Sequence, residues 1–198
     1  MRRRNRAGQS ALPPRPDFDA LELAAQRSGE KRLVFLALIG DLNFAWSNNE
    51  SLFIYVLRLL LDTNEPAAAI VFSTLNTTRA RLDLVQRLAK ISLRDRQLKA
   101  ELDEIISAFS ASTRLRNDLS HATFVIDQGG EITHTQSMKL EESKGHLRFG
   151  VRRAIDQQRL DEIAMAVRSL YALNRRIWDF LPQLERSIRM VSDPQPPP

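Results

Sequence analysis

EKRLVFLALIGDLNFAWSNNESLFIYVLRLLL, residues 30–61, carries Leu, Phe and Ile on more than one side of a helical wheel. A surface helix confines its apolar residues to one stripe, whereas one that is apolar on several sides sits inside a bundle or at a subunit contact. The segment therefore reads as one long helix at the centre of a mainly α fold, and Gly40 is where it could kink. Beyond it, Asp62, Thr63 and Asn64 supply turn and cap chemistry ahead of Glu65 and Pro66, which predicts a second helix to about Ile91, folded back as a hairpin. Ser92, with Asp95 three residues on, reads as the N-cap of a third helix whose Leu98, Leu102, Ile105 and Phe109 form a buried stripe. Upstream, Asp17 to Gln26 reads as a short packing helix closed near Gly29.

The pattern changes after His121. Thr123 to Ile126 is β-branched and aromatic, Gly129-Gly130 is a turn signal, and Ile132 to Met138 alternates, which predicts a β-hairpin. Gly145 to Val151 reads as either a third strand or a loop. From Asp156 the helical period returns through Leu160, Ile163, Val167, Leu170, Ile177 and Trp178, and Pro182 is expected to end or bend that helix. The expected architecture is a mainly α, four-to-five-helix up-down bundle with a β-hairpin inserted between its third and fourth long helices. Residues 1–16 read as a basic, Pro-rich disordered tail, 17–190 as a single domain with the hairpin region at about 123–151, and 191–198 as a second Pro-rich tail.

Composition narrows the chemistry. With no Cys, the chain has no thiol nucleophile, disulfide, zinc ribbon or iron–sulfur ligand set. The longest apolar runs fall far short of the roughly 20 residues that span a bilayer, so the expectation is a cytoplasmic protein with no membrane partner. A net charge of +5 suggests nucleic acid, but its location matters more than its size. Of the 29 Lys and Arg residues, five precede Asp17, and the rest are matched by 24 acids. A solvated tail explains that excess as readily as phosphate attraction does.

One cluster stands out. Arg116 continues the face of Ile105, Phe109 and Ser112, so a guanidinium sits where a core residue is expected; it must meet an acid, reach water in a cleft or lie at an interface. Arg114, Asn117 and His121 fall at i, i+3 and i+7 along one side. Arg116 lies about 140° around a regular helix from His121, so a partner chain, a long side chain or a helix end would have to bring them together.

Arg116-Asn117-Asp118-Leu119-Ser120-His121 resembles the Arg, polar residue, three others, His motif of HEPN domains, and the resemblance covers roughly Glu30 to Leu181. It implies a compact bundle of four or five helices with the motif near the end of an internal one. Many members are metal-independent endoribonucleases, often toxins or antiviral effectors; others are inactive nucleotide-binding or scaffolding relatives. The site implied is Arg116 and His121 as catalytic residues, with Asn117, Arg114 and Asp118 binding or supporting, and Arg114 also fits the family's looser spacing. Cleavage by 2′-hydroxyl attack needs no metal or cofactor. Histidine as a residue type can exchange a proton near neutral pH, and arginine can hold a phosphate through a planar fork. One imidazole cannot readily serve as both base and acid, which makes a two-fold homodimer on RNA attractive. A neutralising protein partner would accompany a toxin.

A histidine at a helix end commonly serves the last carbonyls or the helix dipole. His134 and His146 are expected to face solvent, and Trp46 and Trp178 to be core aromatics. Asn48 to Ser51 and Asn76 to Thr78 should lie side by side as a structural hydrogen-bond network or line a polar pocket.

Overall fold

The computed structural model describes residues 30–192 except Lys139 and Lys144, so the expected tail of 1–16 and short helix of 17–26 lie outside the described residues. Helix α1, Glu30–Leu60, is the axis of the fold and packs against α2 (Glu65–Thr74), α3 (Thr78–Ser92), α4 (Arg96–Ser120) and α5 (Gln157–Ser192). Its apolar breadth is not all used: Phe35, Leu42, Trp46, Phe53 and Leu57 are buried on one face of the helix, while Leu33, Val34, Leu36 and Phe44 on other sides are exposed. Phe109 of α4 with Phe180 and Leu184 of α5 complete one continuous core. No described helix is long and apolar enough to cross a membrane.

The single helix expected over residues 65–91 is two helices. Thr77 leaves the helical region at φ −133°, ψ 143°, and its side chain accepts a hydrogen bond from the Ala80 N–H at 3.1 Å, so α3 starts afresh. Arg81 then reaches back, donating from Nε to the Phe72 and Leu75 carbonyls that end α2. The cap of α4 also differs from expectation. Ser92 is the last residue of α3, with its hydroxyl donating to the Leu60 carbonyl, while Asp95 caps α4 by accepting from Gln97 N–H at 2.8 Å and Leu98 N–H at 3.2 Å. An Asp95→Ala variant should lose about 1 kcal/mol of stability, read as a lower urea midpoint with unchanged slope. A midpoint equal to wild type would show that the cap contributes nothing.

The expected hairpin is part of a larger β region between α4 and α5. Strands β1 (Ala122–Ile126), β2 (Ile132–Ser137) and β5 (Arg152–Ala154) form an antiparallel sheet in the order β1-β2-β5, and β3 (Leu140–Ser143) pairs with β4 (His146–Phe149) separately. The β1–β2 turn is built on Asp127, whose carboxylate accepts from the Gly129 and Glu131 N–H groups, with Gly130 at φ +84°. His134 and His146 are exposed.

Two further expectations are corrected. Pro182 lies inside α5 and does not end it, because buried Phe180, Leu181 and Leu184 hold the chain in register on both sides of it. The helix consequently runs two residues into the stretch expected to be a tail from residue 191. Trp178 is 53% exposed and is not a core aromatic, whereas Trp46 is.

Candidate functional site

The last turns of α4 rest on an aromatic floor. Phe109 is fully buried and stacks on Trp46 at 5.4 Å between ring centroids. The Trp46 indole N–H donates to Thr113 Oγ1 at 2.9 Å, and the Thr113 hydroxyl donates in turn to the Phe109 carbonyl, so the ring is fixed in place and orientation. Seven residues beyond Phe109, Arg116 lays its guanidinium over that indole, 4.4 Å from the ring centroid. Stacking of this kind contributes about 0.5–2 kcal/mol.

The same guanidinium is held by two amides. Arg116 Nε donates to Asn43 Oδ1 at 3.1 Å, and Nη1 donates to Asn117 Oδ1 at 3.0 Å. Asn43 donates from Nδ2 to the Ile39 carbonyl at 2.9 Å, which keeps its oxygen turned toward the arginine, and the Ser120 hydroxyl lies 3.4 Å from that oxygen. A guanidinium has five N–H donors. Three of those of Arg116 have no acceptor among the described residues, and no described carboxylate lies within ion-pair distance of it. A half-buried cation with only neutral partners keeps its charge and its spare donors for an anion.

His121 ends α4. Its backbone N–H caps the helix by donating to the Asn117 carbonyl at 3.1 Å, and the chain then enters β1, where Ala122 pairs with Ser137. The imidazole is exposed and makes no hydrogen bond among the described residues, and none joins it to Arg116.

The other expected site residues are dispersed. Asp118 forms an ion pair with Arg153 of β5 at 3.4 Å, tying the helix end to the sheet. Arg114 opens the other way, into a cleft of about 530 Å³ between α3 and α4 shared with Arg79, Leu82, Asp83 and Ile106. The ambiguity between the two arginines thus acquires a physical basis, since Arg116 is clamped toward α1 and Arg114 faces α3. Asn43 and Trp46 were not among the expected site residues. An amide within a strongly apolar helix, three residues before a tryptophan, was the available signal for both. The neighbouring polar patches do meet: the Thr78 hydroxyl donates to Glu50 at 2.6 Å, and Arg81 pairs with Glu50 at 3.0 Å.

No family model, curated protein or solved structure matches this chain. The geometry offers one preorganised cation, two amides that fix it, and a solvent-accessible imidazole at the end of the same helix.

Proposed function

We propose that this chain is a HEPN-type, metal-independent endoribonuclease that works as a homodimer in the cytoplasm, as a toxin or antiviral effector with a neutralising protein partner. The observation that carries the reading is the Arg116 guanidinium, half-buried over Trp46 and bound only by neutral amides. Such a group suits a phosphodiester, whose charge grows as the bond rearranges. In the proposed step, His121 takes the proton of a ribose 2′-hydroxyl and the 2′-oxygen attacks phosphorus. The bond to the 5′-oxygen breaks, and the partner subunit's His121 returns a proton to it, leaving a 2′,3′-cyclic phosphate and a free 5′-hydroxyl. Arg116 stays protonated throughout and neutralises the phosphorane oxygens. Asn43 and Asn117 act as positioning residues, because they hold the guanidinium.

The test is cleavage of single-stranded and structured RNA in EDTA by wild type and Arg116→Gln. Removing one positioned donor to a developing anion should lower the rate by roughly 10²–10³-fold. Equal cleavage by the two proteins would remove the catalytic role.

A second reading, that of a non-cleaving HEPN-like module binding RNA, a nucleotide or a protein, is favoured by the imidazole of His121, which nothing described orients. RNA affinity that falls in Arg116→Gln, without cleavage by wild type, would select it.

A further inference from the structure

On the outer face of α5, far along the helix from its ion-paired ends, cations and rings alternate. Arg168, Tyr171, Arg175 and Trp178 follow one another at i, i+3, i+7 and i+10 and are all exposed. That spacing gathers them within an arc of about 80° and strings them over roughly 15 Å, with the two rings about 10 Å apart along the axis. Tyr171 is 42% and Trp178 53% exposed, which is unusual for side chains whose rings gain most from burial. Trp178 is not loose: Tyr55 of α1 props it, with ring centroids 6.2 Å apart. Arg58, one turn beyond Tyr55 on α1, adds another exposed cation.

Two acids that approach α5 from α4 are engaged elsewhere. Glu101 and Glu104 of α4 pair with Arg176, at 3.5 Å and 2.6 Å, and the hydrogen bond to Glu104 raises the Arg176 pKa further. Asp179 is the one acid between Ile163 and Leu184, against Arg168, Arg175 and Arg176. Arg58, Arg168 and Arg175 have no acid partner among the described residues. Exposed rings spaced between unpaired guanidiniums form a stacking platform with an electrostatic track, the combination that holds unstacked bases and their phosphates. A second copy is the competing occupant, since Trp, Tyr and Arg also favour protein interfaces. Two such faces meeting about a two-fold axis would gather Arg58, Arg168 and Arg175 of both copies against only Asp179 from each, and that excess of positive charge favours a polyanion.

We infer that the Arg168-Tyr171-Arg175-Trp178 face of α5, with Tyr55 and Arg58 of α1, binds single-stranded nucleic acid by stacking bases on Trp178 and Tyr171 and holding phosphates on the arginines. The inference does not depend on catalysis at Arg116. It is tested with the full chain and labelled single strands of about twelve nucleotides, oligouridylate RNA and oligothymidylate DNA, by fluorescence anisotropy. DNA lacks the 2′-hydroxyl, so its binding is read whether or not the chain cleaves RNA. Trp178→Ala should weaken binding roughly five- to hundred-fold, the loss typical for one stacked base. The double variant Arg168→Gln/Arg175→Gln should reduce the magnitude of the log–log salt slope by about 1.4. Equal affinity for both strands supports recognition through shared bases and phosphates, and tighter RNA binding supports added contact to the 2′-hydroxyl. Unchanged affinity and salt slope in both variants would overturn the inference. So would a dimer that forms without oligonucleotide and dissociates in Trp178→Ala, because the face would then belong to a second copy. All three substituted residues are exposed, and a thermal melt of each variant separates lost binding from lost folding.

Discussion

Replacing His121 by alanine is expected to lower RNA cleavage by roughly 10²–10⁴-fold, the contribution of one positioned proton-transfer group, while the protein stays folded. The separation of the two effects follows from how His121 is held. Its structural duty is performed by the backbone N–H that bonds the Asn117 carbonyl, and alanine retains that group. The imidazole itself is exposed and has no hydrogen bond among the described residues, so its removal should change stability by less than about 0.5 kcal/mol. Gel assays of RNA cleavage in EDTA, paired with urea melts, read both quantities. Undiminished cleavage by a folded His121→Ala protein would dismiss the imidazole as acid or base and, with it, the proposed reaction. Lost cleavage accompanied by a collapsed melt would instead make His121 a structural cap.

Phe109→Ala should produce the largest loss of stability, about 3–5 kcal/mol by denaturant unfolding. The ring is fully buried and lies between Trp46 and Phe53, each 5.4 Å away centroid to centroid. Truncation removes its apolar transfer energy and leaves a cavity under Trp46 that rigid helices α1 and α4 cannot fill. Set against the 5–15 kcal/mol that stabilises a typical domain, such a loss brings the variant close to unfolding at body temperature. Trp46 is also the surface on which Arg116 rests, so any phosphate affinity at Arg116 should fall even where the variant remains folded. A loss below about 1 kcal/mol would mean that the three rings are not one packed unit.

How far the fold could be read in advance depended on whether a signal was local. Helix α1 was legible because Leu, Phe, Ile, Val or Trp recurs in nearly every turn from Leu33 to Leu60, and α5 because its period persists over more than twenty residues. The break between α2 and α3 was not, although Asn76 and Thr77 offered cap chemistry, because apolar residues continue on either side and hide a three-residue interruption. Strand β5 is only three residues long, too short for alternation to appear, and its pairing with β2 spans an intervening hairpin. At the site, Arg116 announced itself by occupying a core-facing position on α4. Its partner Asn43 lies 73 residues away, and only the packing of α1 on α4 brings the two together. Asp118 shows the opposite failure: it sits inside the motif, yet its ion pair is with Arg153 of the sheet.

Pro182 divides α5 without bending the chain out of the core. Lacking an N–H, it cannot donate to the carbonyl of Trp178, so the ladder of amide bonds that makes a helix cooperative is interrupted one turn beyond that ring. Fraying that begins at Ser192 is therefore expected to run back to buried Leu184, next to that interruption, and to stop there while the preceding turns stay closed. Amide protons on the two sides of that boundary should exchange with solvent on separate clocks.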